Sequence, residues 1–206
     1  MFWSNGIIYI VRIIFIANAL YLALSGEFLK VGVLLGSLVL TFIPEIFTKL
    51  THVKITSGGK VTYVVFILGT QWLGTYLRLY DSLIWWDIML HFSSGILLGY
   101  VGIVLLVWID KERMLKGQIG NRVIMLFSFL VSIAGAVFWE IAEFLSDTFI
   151  GSNTQLGSLR DTMEDMIFGT IGAALFVLYL YFTCTKKKNS CLRRLVNLNK
   201  VYKKDE

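Results

Sequence analysis

Apolar residues run along the chain in six blocks separated by short polar clusters, at about Gly6 to Leu24, Phe28 to Phe47, Val61 to Leu79, Leu83 to Ile109, Val123 to Ile150 and Asp161 to Thr183. A hydrocarbon core of about 30 Å takes roughly 20 residues of α-helix, so each block is long enough to cross a bilayer once. None alternates polar and apolar positions with a period of two, as a barrel strand would. The predicted fold is therefore all-α, a polytopic transmembrane bundle of six helices. One domain spans residues 1–185 and a basic tail follows at 186–206.

The first block carries Ala17-Asn18-Ala19, which looks like a signal-peptide cleavage site. Arg12 interrupts the apolar run that such a peptide needs, and a second apolar block follows almost at once. The block is read as a retained helix whose Arg12 snorkels to the interface.

Composition agrees with the pattern. Of 206 residues 56% are apolar and 16% charged, which excludes an ordinary soluble domain. A net charge of +5 raises the question of nucleic acid, but the tail beginning at Lys186 holds eight Lys/Arg and two acids, so the rest of the chain is close to neutral. No nucleic-acid partner is expected; the partners expected are membrane lipids. Cys184 and Cys191 suggest no disulfide framework.

Lys and Arg also set the orientation. With the tail inside, six crossings put the N-terminus, the loop 49–60 and the loop 111–122 inside too. That side then holds fifteen Lys/Arg and the other only Lys30, Arg78 and Arg160. Both termini are predicted to be cytoplasmic.

Against this background the acids of the last three blocks stand out, because a carboxylate in hydrocarbon is costly and marks a functional site by default. They occur in Trp86-Asp87-Ile88-Met89-Leu90-His91-Phe92, in Trp139-Glu140-Ile141-Ala142-Glu143 with Asp147 beyond, and in Asp161-Thr162-Met163-Glu164-Asp165. Spacings of three, four and seven place each set on one helix face. The topology puts all three faces in the outer half of the membrane. Carboxylates with one imidazole form a hard, oxygen-rich ligand set suited to Mg, Mn, Zn, Ca or Fe.

The residues expected to hold a divalent metal are Asp87, His91, Glu143, Asp147, Asp161 and Asp165. His91 or Glu140 is the expected general base, and Arg160 and Gln155 are expected to contact substrate. The competing structural reading has the acids capping helix ends and pairing with Arg78 and Arg160. Gly95, Gly99 and Gly102 in the fourth block, and Gly169 and Gly172 in the sixth, are expected to let helices approach closely.

These motifs, with Gln155-Leu156-Gly157 before Asp161, resemble the YjdF-like family of bacterial membrane proteins over about residues 85–174. More distantly they resemble VanZ-like proteins, whose pattern has amides where Glu143 and Asp165 stand here. The first resemblance implies a polytopic bacterial plasma-membrane protein, and the second a setting at the cell envelope. Three functions fit the residues: a metal-dependent hydrolase or transferase acting on a lipid or lipid-linked envelope precursor, a proton- or cation-coupled transporter or flippase, and a non-catalytic envelope or lipid-binding factor.

Overall fold

The computed structural model describes residues 2–110 and 121–184. The basic tail, Cys191, and Lys111, Arg113 and Lys116 of the expected inner loop lie outside the described residues.

The described chain is helical. In order it forms α1 (Phe2–Leu24), α2 (Phe28–Leu40), α3 (Ile43–Thr51), α4 (Ser57–Ile67) running straight into a π-helical stretch (Leu68–Tyr76), a single turn α5 (Leu79–Ser82), and the long helices α6 (Ile84–Ile109), α7 (Asn121–Ile150) and α8 (Leu159–Cys184). Among the described residues five helical stretches are long and apolar enough to cross a membrane: Ser4–Leu24, Phe28–Thr51, Ile84–Ile109, Asn121–Ile150 and Leu159–Thr183. The third expected block is occupied by α4 and the π-helical stretch, neither of which has that length alone.

The chain divides into two compact units, one up to Trp86 and one starting at Asp87 in the first turn of α6. In the first unit, Phe15 of α1, Leu34 of α2 and Val64 of α4 are almost fully buried and form its centre. The break between α2 and α3 follows from the single proline. Pro44 has no N–H and its ring displaces the carbonyl four residues back, so α2 ends at Leu40. The freed Leu40 carbonyl accepts a hydrogen bond from the Tyr63 hydroxyl at 3.1 Å.

Arg12 differs from its expected role. Its side chain is only 13% exposed and lies 3.2 Å from the Glu45 carboxylate. It also donates to the Thr41 hydroxyl at 3.1 Å and the Thr41 carbonyl at 2.9 Å, and its guanidinium lies over the Phe42 ring. The polar groups exposed by the helix break are thus the partners that keep this arginine inside rather than reaching for water. Lys60, 3.9 Å from Glu45, joins the same network. His52 ends α3 with a φ of 60°, in the left-handed conformation usual for a helix C-terminal residue.

The second unit is the three-helix assembly of α6, α7 and α8. Its helices touch backbone to backbone at small residues. A Cβ on Gly95 would overlap the Gly169 carbonyl oxygen, and one on Gly172 would overlap the Phe92 carbonyl oxygen. On the other side of α6, Ser132 of α7 donates to the Gly95 carbonyl at 2.8 Å and Ser128 to the Gly99 carbonyl at 2.6 Å. Both serines are buried, so these bonds satisfy hydroxyls that neither lipid nor water reaches.

Candidate functional site

This crossing positions the acids. His91 is one helical turn from Gly95 and Asp165 one turn from Gly169, while Ala136 of α7, one turn from Glu140, faces Gly169. With no side chain larger than methyl or hydroxymethyl to hold the helices apart there, the next turn of each brings its polar face to a common point. Asp87 and His91 come from α6, Glu140 and Glu143 from α7, and Asp161 and Asp165 from α8.

His91 Nε2 lies 3.4 Å from Asp87 Oδ1 and 3.7 Å from Asp165 Oδ2. Asp165 is the most enclosed of these groups, with its side chain 4% exposed. Two sets of three ligand atoms can each gather round one ion: Asp87, His91 and Asp165 form one, and Glu140, Glu143 and Asp165 the other, the atoms of each set lying within 4.8 Å of one another. Glu140 is 5% exposed, and both its carboxylate oxygens are buried without a hydrogen-bond partner. Asp161 Oδ2 is likewise buried without one, beside but outside both sets. Buried carboxylate oxygens normally find partners, and leaving one without costs about 1–3 kcal/mol or more when it is charged.

The arginines do not relieve this. Arg160 is 85% exposed and pairs with Glu164 at 2.7 Å, while Arg78 pairs with Asp81 at 2.7 Å. Arg160 is thus paired within its own helix rather than with the clustered acids.

Asp147 is also spent elsewhere. Its Oδ1 accepts from the Ser152 hydroxyl at 2.7 Å and from both the amide and the hydroxyl of Thr154 at 2.8 Å, and its Oδ2 accepts from the Gln155 amide at 3.0 Å. It organises the loop between α7 and α8, where Gly151, Leu156 and Gly157 take positive φ. Substituting Asp147 with alanine is expected to speed hydrogen exchange at the Thr154 and Gln155 amides, and unchanged exchange in that variant would mean that its carboxylate does not hold the loop. Gln155 in turn donates to the Thr162 hydroxyl at 3.1 Å and the Glu140 carbonyl at 3.4 Å, joining the loop to both helices.

Beside the cluster an open groove of about 650 Å³ runs between α7, this loop and α8. Val137, Ile141, Phe144 and Met166 give it apolar walls, and Glu140, Asp147, Gln155 and Thr162 are among its polar lining. Glu140 therefore belongs to both the ligand cluster and the groove.

Two features of this site escaped the sequence reading. Ser128 and Ser132 were invisible as helix partners, although their spacing of four matches that of Gly95 and Gly99, the signal that could have paired them. The loop role of Asp147 could have been inferred from Ser152 and Thr154, residues that favour turns and accept such capping.

The fold and cluster define a multi-pass helical membrane protein with an acidic, histidine-containing centre inside one three-helix unit. The chain belongs to the DUF2238 family, described as predicted membrane proteins, whose model matches residues 7–186. It is similar to an uncharacterized protein of Thermotoga maritima, 30% identical over 141 residues that cover 68% of this chain and 70% of the relative. No solved structure matches the chain.

Proposed function

We propose that the protein is a metal-dependent membrane hydrolase or transferase, acting on a lipid or lipid-linked envelope precursor that reaches the acid cluster through the groove. The observation that carries this reading is Glu140, a buried carboxylate with both oxygens unpartnered, standing where a ligand set meets an apolar groove. A divalent cation at such a place lowers the pKa of a bound water and polarises the oxygen of a scissile phosphoryl or acyl group. Asp87, His91 and Asp165 would hold the cation, and Glu140, with two carboxylate oxygens, would use one of them to hold or relay the proton of the attacking water. Gln155, fixed by Thr162 and the Glu140 carbonyl, is available at the groove for a substrate head group.

We count α4 with its π-helical continuation as a sixth crossing, which together with the Lys/Arg balance supports cytoplasmic termini in a bacterial cell. The cluster lies at the outer end in that arrangement, which agrees with an envelope substrate and with the likeness of its motifs to YjdF-like and VanZ-like proteins.

The test is turnover in detergent–lipid micelles containing Mn²⁺, with phospholipids and a polyprenyl-linked phosphate as substrates and product identified by mass. Wild type is expected to release product, a chelator to stop it, and Glu140→Gln to lower the rate by about 100-fold or more, the range of general acid–base contributions. Metal-replete protein that returns every substrate unaltered would end the enzyme reading.

A further inference from the structure

We propose that the cluster is built for two divalent cations bridged by Asp165. This rests on the metal-binding part of the function proposed above and adds the number of ions and the inequality of their sites.

The first argument is geometric. The two ligand sets share one residue, Asp165, and differ in every other. A carboxylate has two oxygens, so a single aspartate can face an ion on each side, and bridging carboxylates from facing helices are how bundles hold ions about 3.5–4 Å apart. Asp165 suits that position because it is the most buried acid of the group and comes from α8, while the outer ligands come from α6 on one side and α7 on the other.

The second argument is charge. Asp87, Glu140, Glu143, Asp161 and Asp165 together carry five formal negative charges, and among the described residues no Lys or Arg pairs with any of them. One divalent cation leaves three uncompensated charges in a poorly solvated place; two leave one. Burying unpaired charge costs several kcal/mol per ion, so acids that a second cation does not neutralise must take up protons instead. The third is the pair of unpartnered Glu140 oxygens. They belong to the all-carboxylate set, which does not include His91. An ion held by Asp87, His91 and Asp165 alone leaves them unsatisfied.

The two sites differ chemically. Asp87, His91 and Asp165 offer a nitrogen ligand and suit Zn²⁺, Mn²⁺ or Fe²⁺, whereas Glu140, Glu143 and Asp165 offer oxygen only and suit Mg²⁺, Mn²⁺ or Ca²⁺. Mn²⁺ fits both and is the probe of choice.

The full chain, purified in mild detergent, is stripped with chelator, reloaded with Mn²⁺, desalted and measured by elemental analysis, with electron paramagnetic resonance on the same samples. Wild type is expected to hold two Mn²⁺ per chain and to give the broadened spectrum of a coupled pair. His91→Ala and Glu143→Gln are each expected to hold one, with the six-line spectrum of an isolated ion. One Mn²⁺ per chain in wild type, or two without coupling, would overturn the bridge; so would no bound Mn²⁺. The wild-type spectrum decides the matter even if a variant fails to fold. Two coupled ions without turnover would leave this inference standing and remove the enzyme reading, whereas turnover with one ion would do the reverse.

Discussion

Gly95→Val is expected to yield little or no folded protein, whereas Gly32→Val in α2 is expected to behave as wild type. A Cβ at Gly95 would stand 2.8 Å from the Ala173 nitrogen and would overlap the Gly169 carbonyl, both of them backbone atoms. Overpacking against side chains costs about 1–3 kcal/mol because rotamers yield. Here only a whole helix can yield, and its displacement also strains the bond from Ser132 to the Gly95 carbonyl. The cost is expected at or above the top of that range, on the order of 3 kcal/mol. Gly32 has nothing within 4 Å of its added Cβ, so it controls for the loss of a glycine as such. Monodispersity on gel filtration in detergent and the midpoint of thermal unfolding give the readout. Equal behaviour of the two variants would mean that the α6–α8 crossing is not as close as described.

Much of this architecture was legible in the sequence because a bilayer constrains it so strongly. Backbone groups in hydrocarbon must be satisfied within their own helix, so an apolar block of sufficient length has few alternatives. The blocks of α1, α6, α7 and α8 accordingly match their helices to within a few residues. What periodicity could not convey was discontinuity. Pro44 divides the second block at Thr41, and the π-helical stretch replaces the second half of the third. Arg12 was read as reaching for water because the pattern along α1 contains no partner. Its partners, Thr41 and Glu45, exist only because α2 breaks where it does.

The site shows the same division. Helical spacing brought Asp87 with His91 and Glu140 with Glu143, since neighbours one turn apart share a face whatever the tertiary fold. It also placed Asp147 on that face, two turns beyond Glu140, where its carboxylate is taken up by the loop. The loop after α7 returns over the helix end and offers Asp147 four donors, a matter of chain reversal that no periodicity records. Likewise Arg160 lies next to Asp161 in sequence but on another face of α8, one turn from Glu164, and the local pair wins.

Asp165→Asn is expected to reverse the order of stability between metal-free and metal-loaded protein. At a pH where its carboxyl is ionised, Asp165 adds a buried negative charge in the chelated wild type beside Asp87, Glu140 and Glu143. Asparagine keeps the shape and removes the charge, so the chelated variant is expected to unfold at a higher temperature than chelated wild type. In Mn²⁺ the ranking inverts. Wild type gains the binding free energy of its ions, about 2.7 kcal/mol for each at a hundredfold excess over Kd, whereas the variant lacks the shared ligand of both sets and gains little. Elemental analysis should find its metal content close to zero, in contrast to the single ion retained by His91→Ala or Glu143→Gln. A purely structural aspartate makes a different prediction, because losing its packing and its contact with His91 would lower the unfolding temperature with and without metal alike. The crossover in unfolding temperature thus separates a carboxylate held in place for cations from one that serves only the packing of α8.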